Sequence, residues 1–509
     1  MAKRLVSIVA AALVVFSGAL PTAMGRSKVN PAEIQELNRQ IEQQEQTLQQ
    51  LKARVQALED PKAAKQPEAV KEPKVGTQEV KPSPPAEEAP QSDVLSIKGE
   101  PPSPIEEAEA KMNKSLGRQS PVPYQRNFDD RQDAAPRPGD FTLDPKYRGF
   151  IPIPHTAFMV KFNPKPRVDM MVDSGNTGDD FRFVTAKIPL EGSPEHGGGG
   201  RFNANGNGSQ LRVDMRAPSL PGNLRFYYQN DFFGSQTANF NYRLQHLYGQ
   251  FYGVTAGFTY GFFEDPDVWP NTVDYEGPNS MIFARRPLAH YTWMISDSMN
   301  MTFGLEDPDF FVDNAGDPLA IPNQRMPDVG FNFRWEPDGI GHMQFSTIFR
   351  SVGVNGDLFA NDADFGWGIN LSGAFDIGKR DTVQFLGVGG YGIGGLGNDS
   401  GFENTDAAFN ADGDLKALPY FSAMLGYTHR WTPRLSSTLS YGYVNVGNED
   451  LQAGDAYNFT HYGSWNLVWN IFKRLNVGAE GLYGFREVKD GRNGDVFRAQ
   501  LSLVYSVFD

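Results

Sequence analysis

The stretches Gln210–Arg216 (QLRVDMR) and Leu224–Asp231 (LRFYYQND) indicate how most of this chain folds. In both, apolar or aromatic side chains take every second position, and charged or amide side chains take most of the positions between them. The pattern returns at Val254–Phe262, with its apolar residues on one face, and at Asp328–Trp335. A period of two predicts strands with one apolar and one polar face. From about residue 150 onward, the sequence predicts an all-β domain.

The lengths of the connections separate a membrane barrel from a soluble sandwich, because alternation alone fits both. Short turns are expected at Ala217–Gly222, Gly249–Gly253, Ser296–Ser298, Glu336–Gly341, Asp376–Asp381, Thr432–Pro433 and around Lys473. Longer loops are expected at Ser174–Ser209, Phe233–Phe240, Glu264–Asn279, Asp307–Arg325, Asn355–Asp364, Leu396–Ala417, Asn448–Thr460 and Glu487–Asp495. Their alternation predicts an antiparallel transmembrane β-barrel of about 16 strands over residues 150–509, with the long loops outside the cell. Asp180–Ile188 would add a further strand and is assigned to the first long loop.

Aromatic residues near the ends of the predicted strands fit the girdles that flank the apolar belt of a barrel. They are Phe232, Phe262, Trp293, Trp335, Phe349, Trp431 and Trp469. Ordinary use of aromatic residues in strands is the alternative, and the rhythm of the loops favours girdles. The chain ends in a further alternating segment, with Leu501, Leu503 and Tyr505 on one face, followed by Phe508.

Residues 1–25 have the pattern of a secretory signal peptide: a basic start, an apolar run and the small-residue site Ala23-Met24-Gly25. An uncleaved membrane anchor is the alternative, and either predicts export. After residue 25 no apolar run reaches the roughly 18 residues of a membrane-spanning helix. The net charge of −14 argues against a nucleic-acid partner. The sequence has no cysteine, which excludes disulfides and thiolate chemistry.

Residues 30–60 are predicted to form a coiled-coil helix, because Ile34, Leu37, Ile41, Gln44, Leu48, Leu51, Val55 and Leu58 recur at alternating spacings of three and four. The stripe needs a partner, and self-association supplies one. Packing against another part of the same chain is the alternative. The mixture of Ile, Leu and Val leaves dimer and trimer both open. Residues 61–145 are rich in Pro, Glu, Lys, Ala and Ser and predict a disordered linker, which acts as a solvated tether or contacts the cell wall.

Chemical motifs for catalysis or cofactor binding are not found in this sequence. The GxGxxG match at Gly387–Gly392 lies in a glycine-rich strand with no helix after it, so it does not indicate a dinucleotide site. The seven histidines show no pair at ligand spacing, and no GxSxG motif is present. We therefore expect no enzyme activity, no cofactor and no metal.

Arginine residues are instead frequent on the polar faces of the predicted strands. The predicted solute pathway consists of Arg212, Arg216, Arg225, Arg243, Arg286, His290, Arg334 and Arg350. The third long loop carries Glu264, Asp265, Asp267, Asp274 and Glu276, and we expect it to fold inward as a constriction that sets acids against the basic wall. Guanidinium groups in a confined aqueous lumen favour anions. The alternative is that the arginines pair with lumen carboxylates such as Asp214 and Asp231 to hold the barrel together.

Several short strings in order resemble the DcaP-like trimeric outer-membrane porins. The resemblance rests on Ser209–Pro218, Asp231–Gly234, Arg243-Leu244, Thr272–Pro278 (TVDYEGP) and Glu306–Pro308, and is strongest over about residues 205 to 310. It implies a sixteen-stranded homotrimeric barrel in outer-membrane lipid, with a periplasmic coiled coil and linker, that passes small anionic solutes such as dicarboxylates. A structural barrel that ties the outer membrane to the cell wall through its coiled coil is the second hypothesis.

Overall fold

The computed structural model describes Phe128, residues 134–136 and residues 149–507, the last range with gaps at 218–219, 221, 223, 235–239, 314–320, 324, 338, 357–361 and 473. The signal peptide predicted at 1–25, the coiled coil at 30–60 and nearly all of the linker at 61–145 lie outside the described residues. Among the described residues, no helix is both long enough and apolar enough to span a membrane.

Antiparallel β-strands make up most of the described chain. Their bounds are β1 (Ile151–Pro152), β2 (Met159–Lys165), β3 (Arg167–Asp173), β4 (Arg201–Asn205), β5 (Gln210–Ala217), β6 (Leu224–Asp231), β7 (Arg243–Phe251), β8 (Val254–Tyr260), β9 (Arg285–Ser296), β10 (Met299–Glu306) and β11 (Ile321–Pro322). The second half continues with β12 (Asp328–Trp335), β13 (Gly341–Asn355), β14 (Asp362–Ile377), β15 (Asp381–Tyr391), β16 (Ala407–Phe409), β17 (Leu415–Ala417), β18 (Pro419–Thr432), β19 (Leu435–Val446), β20 (Tyr457–Phe472), β21 (Leu475–Val488) and β22 (Asn493–Tyr505). Short 3-10 turns occur at Thr185–Lys187, Pro266–Val268, Gly394–Leu396 and Ser400–Phe402.

One large sheet holds all of these strands except β16 and β17, which pair with each other. From β5 to β10, and from β12 to β15, each strand pairs with the next along the chain. The ladder continues through β18, β19, β20 and β21 to β22, with β10 paired to β12 and β15 to β18. Only Pro166 separates β2 from β3, and residues 206–209 separate β4 from β5. Counting each of these two pairs as one strand, and leaving out short β1 and β11, gives sixteen positions in the ladder.

The first and last strands of the sheet meet. β3 pairs with β22 through the register Arg167↔Val504 to Asp173↔Arg498, and with β4 through Asp169↔Asn205 to Asp173↔Arg201. β2 pairs with β5 over its whole length. β3 therefore has a paired strand on both of its edges, β4 on one and β22 on the other.

Most connections alternate in length as the sequence predicts. Short turns follow β5, β7, β9, β12, β14, β18 and β20, and longer connections follow β3, β6, β8, β10, β15 and β19. The long loops predicted at Asn355–Asp364 and Glu487–Asp495 are wrong, because the strands on either side extend into them and leave only residues 356–361 after β13 and 489–492 after β21. Residues 180–188, assigned from the sequence to the first long loop, form no strand in the structure.

The sheet buries its polar face and exposes its apolar one. On β20, Trp465 and Trp469 are 59% and 51% exposed, whereas Asn466 between them is fully buried. On β22, Phe497 and Leu501 are exposed, and Arg498 is fully buried. A soluble sandwich has the opposite arrangement, whereas lipid around a polar interior requires this one.

The predicted aromatic girdle is wrong at Phe262, which is only 1% exposed. β8 keeps its register with β9 as far as Tyr260, its last residue, and Thr259 still faces inward opposite Arg286. Tyr260 is buried as well, because the chain turns into the interior at the end of β8. Of the other predicted girdle residues, Trp293, Trp335, Phe349, Trp431 and Trp469 are exposed, and Phe232 is half-buried.

Candidate functional site

The loop between β8 and β9, residues 261–284, folds into the interior of the sheet; we call it the crossing loop. Its first residues are fixed to β13 and β14, where Gln344 Nε2 donates to the carbonyl of Glu264 at 3.0 Å and Asn370 Nδ2 donates to the carbonyl of Phe263 at 2.7 Å. The inward fold that the sequence predicts for this loop is therefore present in the structure.

The tip of the crossing loop contacts two further parts of the wall. On β21, Glu480 Oε2 accepts the backbone N–H groups of Val273 and Asp274 at 2.9 and 2.5 Å. On β6, Asp231 Oδ2 accepts the hydroxyl of Tyr275 at 2.8 Å. The loop is thus held at three separate places on the wall.

A second loop, residues 392–418 between β15 and β18, packs against the end of the crossing loop. The N–H of Phe283 donates to the carbonyl of Leu396 at 3.0 Å, and the N–H of Asn398 donates to the carbonyl of Met281 at 2.8 Å. Leu396 and Met281 belong, with Trp269, to a cluster of buried apolar residues that also includes wall residues. This apolar packing fixes the loops and fills part of the interior.

The acids at the start of the crossing loop face β12 and β13. Arg334, one of the predicted pathway residues, donates to Asp265 at 3.2 Å and to Asp267 at 2.7 Å. His342 Nε2 lies 2.9 Å from the other oxygen of Asp265, which also accepts the hydroxyl of Ser372 at 2.7 Å. The pKa of Asp265 is lowered, because the adjacent cations outweigh the opposing effect of its burial.

Asp265, Asp267 and His342 also form a possible set of metal ligands, with their ligand atoms within 4.8 Å of one another. The spacing of these residues along the sequence gave no sign of the cluster. Its geometry does not favour a metal, because the guanidinium of Arg334 already bonds to both aspartates and supplies the positive charge they require.

The acids at the tip of the crossing loop do not face the predicted basic wall. Asp274 accepts the N–H of Gly277 within the loop at 2.9 Å, and Glu276 lies 3.5 Å from Arg182 of the first long loop. It is Tyr275, between them, that reaches the strands carrying the arginines. The sequence predicts that acidic side chains of the loop tip contact the wall, whereas in the structure a tyrosine makes this contact.

Glu264 is buried at the start of the crossing loop. Neither of its carboxylate oxygens has a hydrogen-bond partner among the described residues. Burial, followed by the negative charge of Glu306, raises the pKa of Glu264 to about 8. At neutral pH the protonated form of this side chain therefore predominates.

The inner face of β5, β6 and β7 carries the densest group of arginines; we call these three strands the arginine wall. Asp214 is shared by Arg216, at 3.0 and 2.6 Å, and Arg225, at 3.2 and 3.1 Å, each guanidinium contacting both oxygens. Arg212 donates to the side-chain carbonyl of Gln210 at 3.0 and 2.5 Å. All three arginines point inward, as the alternation predicts, and two of them share one carboxylate.

The other end of the arginine wall has a second shared carboxylate. Asp231 accepts Arg243 at 2.9 and 2.5 Å, Gln245 at 2.8 Å and the hydroxyl of Tyr275 at 2.8 Å. β5, β6 and β7 together carry four arginines and two aspartates and no other ionised side chain, so the wall has an excess of two positive charges.

The remaining predicted pathway residues belong to a buried ionic network between β9, β10, β12 and β13. Arg286 bonds to Glu306 and, at 2.5 Å, to Asp328, and His290 lies 3.0 Å from Glu306. Arg350 is 3.2 Å from Asp328 and has no exposed surface. In this conformation these residues join neighbouring strands.

The sequence does not predict that Tyr275 and Glu480 position the loop, and it predicts Asp231 only as a partner for arginine. The alternation places Asp231 and Glu480 on the polar face, which is a signal that they point inward. No local pattern marks Tyr275, because its partners Asp231, Gln210 and Gln245 are 44, 65 and 30 residues away.

The inverted exposure of the sheet and the paired first and last strands are typical of the outer-membrane porin fold. The family model for the DcaP outer membrane protein matches residues 149–507. The chain therefore belongs to the DcaP outer membrane protein family. A comparison with curated proteins finds no match.

Two solved structures are similar to this chain, and the first of them has the same fold. The outer membrane channel DcaP of Acinetobacter baumannii matches with a TM-score of 0.61 and 19% identity, over 69% of this chain and 97% of that one. An anion-selective porin from Comamonas acidovorans matches with a TM-score of 0.46 and 13% identity, over 69% of this chain and 99% of that one.

Proposed function

We propose that this chain forms a water-filled pore in the outer membrane that passes small hydrophilic solutes and favours anions, dicarboxylates among them. The observation that carries the proposal is the charge of the arginine wall, with four arginines against two aspartates. A confined lumen with walls of low dielectric strengthens such a field and raises the local concentration of anions.

The pairs on the arginine wall support carboxylates as the preferred anions. Arg216 and Arg225 each hold the carboxylate of Asp214 through two donors, which is the geometry in which a guanidinium recognises a carboxylate. A solute carboxylate that competes with Asp214 would meet donors already in this arrangement. A second carboxylate on the solute adds a second attraction along the same wall.

The same proposal includes a closed sixteen-stranded transmembrane barrel. β3 is hydrogen-bonded to β4 on one edge and to β22 on the other, which is the pairing that a closed barrel needs. Neither the first nor the last long strand of the sheet then has an unpaired edge. The heptads at residues 30–60 support self-association through a coiled coil, and the resemblance to trimeric porins supports a trimer with its coiled coil and linker in the periplasm. Residues 1–25 support export.

Reversal potentials in planar bilayers under a salt gradient test the anion preference. We expect discrete conductance steps and an anion-weighted potential for the wild type. Replacing Arg212, Arg216 and Arg225 by Gln is expected to shift the potential toward zero, and Asp214→Asn to shift it in the opposite direction. Lys379→Gln is the control, since this substitution removes one positive charge from an exposed turn away from the lumen.

Two results would overturn the proposal. A purified protein that inserts but gives no conductance steps is not a porin and would favour the structural barrel. Cation preference in the wild type, or an unchanged potential in the triple variant, would show that the arginine wall does not set selectivity.

A further inference from the structure

Phe128, Ala134 and Ala135, which precede the first strand, are buried in the interior. Phe128 is 1% exposed, and its backbone N–H donates to Asn271 Oδ1 of the crossing loop at 2.5 Å. Its ring packs with Val273 of the loop and with Val468 and Val504 of the wall. Phe128 is therefore held between the tip of the crossing loop and β20 and β22.

The wall has space shaped for this ring. A Cβ built on Gly478 of β21 would lie 3.0 Å from the Phe128 ring and 2.5 Å from Val273. The guanidinium of Arg167 lies 5.4 Å from the centre of the same ring, a cation–π contact. Such close approach on several sides is typical of a specific binding site and not of chance proximity.

Ala134 and Ala135 extend the contact to the arginine wall. Ala134 has no exposed surface, its carbonyl accepts the hydroxyl of Tyr248 at 2.9 Å, and it packs against Tyr227 and Tyr248. The guanidinium of Arg225 lies 4.8 and 5.7 Å from the centres of those two tyrosine rings. Ala135 joins the large apolar cluster of the crossing loop.

These contacts place the segment on the side of the crossing loop that faces the short turns. Val468 lies near the turn that joins β20 to β21, and Val504 is near the end of β22. Ala134 lies against Tyr227 of β6 and Tyr248 of β7, the strands that carry Arg225 and Arg243 of the arginine wall.

We infer that Phe128 and Ala134–Pro136 form a plug that binds the short-turn side of the lumen and narrows the path beside the arginine wall. The binding surface is made of Asn271, Val273 and Tyr248, and its occupant is this chain's own segment. The inference rests on the proposed pore. It gives the residues ahead of the barrel a second role, as a control on conductance.

Thiol protection tests whether the plug is bound, and the absence of native cysteine makes each introduced thiol unique. In the full-length protein, Ala134→Cys is expected to resist a membrane-impermeant maleimide until the protein is unfolded. Lys379→Cys, at an exposed turn, is expected to react in both states. Equal labelling of the two thiols in the folded protein would show that the segment does not occupy the lumen.

Single-channel conductance tests whether the plug narrows the pore. Replacing residues 128–136 by a Gly-Ser stretch of equal length is expected to raise the conductance, and Tyr248→Phe, which loses one bond to the plug, to raise it less. A wild type that conducts as well as the Gly-Ser variant would refute the plug and leave the pore intact. A lack of conductance in both would refute the pore itself. If the Gly-Ser variant does not fold, the labelling of Ala134→Cys decides.

Discussion

The hydroxyl of Tyr275 joins the crossing loop to the arginine wall, and Tyr275→Phe removes it without changing the ring. The hydroxyl donates to Asp231 at 2.8 Å and accepts from Gln245 at 2.8 Å and Gln210 at 3.2 Å. The ring stacks on Phe233 at 4.6 Å between centroids, a contact that phenylalanine retains. The substitution therefore tests the hydrogen bonds of the loop tip separately from its packing.

The expected effect follows from the type of each bond. A hydrogen bond to a charged group contributes about 1.5–3 kcal/mol, and a neutral one about 0.5–1.5 kcal/mol. Asp231 keeps its bonds to Arg243 and Gln245, which offsets part of the loss. We expect docking of the tip to weaken by about 2–3 kcal/mol, which raises the population of the released tip about 30- to 140-fold.

Open-channel noise in planar bilayers measures this population. Tyr275→Phe is expected to increase current fluctuations, while the bonds from Glu480 keep the rest of the crossing loop in place. Tyr242→Phe is the matched control, because this exposed tyrosine lies 3.3 Å from the Tyr228 hydroxyl, away from the loop. Noise in Tyr275→Phe equal to that of the wild type and of Tyr242→Phe would refute this account of how the tip is held.

Two further predictions concern stability. Burial raises the pKa of Glu264 to about 8 from an ordinary 4.5, so the folded protein retains a proton that the unfolded chain releases, and stability falls as pH rises between these values. Glu264→Gln is expected to flatten that fall in thermal unfolding across this range; exposed Glu195→Gln is the control, and an unchanged slope would contradict the prediction. Arg498 is fully buried and donates to Asp173 at 2.6 Å across β22 and β3, so Arg498→Met is expected to destabilise the protein by about 3–5 kcal/mol in denaturant unfolding. Arg492→Met breaks a pair on the surface and is expected to change stability little; equal effects of the two would show that the buried pair does not hold the first and last strands together.

The strands could be predicted from the sequence because each carries its own evidence. Period-two alternation and turn residues are local, and they gave the sixteen positions of the ladder and the seven short turns, but not the lengths of the connections after β13 and β21. The prediction failed at Phe262 because β8 ends at Tyr260 and the chain then turns into the interior. Alternation shows which face a residue takes within a strand, but it does not show where the strand ends.

The interior could not be predicted in the same way because its contacts join distant residues. The N–H of Val273 meets Glu480 across 207 positions, and Arg182 meets Glu276 across 94. Alternation identifies which side chains point inward but does not pair them. The crossing loop therefore folds inward as expected. Its acidic side chains at the tip do not contact the arginine wall, because they pair elsewhere.

Pairing of the arginines with carboxylates and a role for them in selectivity are compatible, because the two depend on different quantities. Stability depends on whether each buried charge has a partner nearby, whereas the field in the lumen depends on the sum of the charges. Asp214 provides a partner for Arg216 and Arg225, yet one carboxylate cannot cancel two guanidinium groups. Asp214→Asn should therefore lower stability while it strengthens anion preference. If the arginines served only to hold the barrel together, the same substitution would lower stability and leave selectivity unchanged.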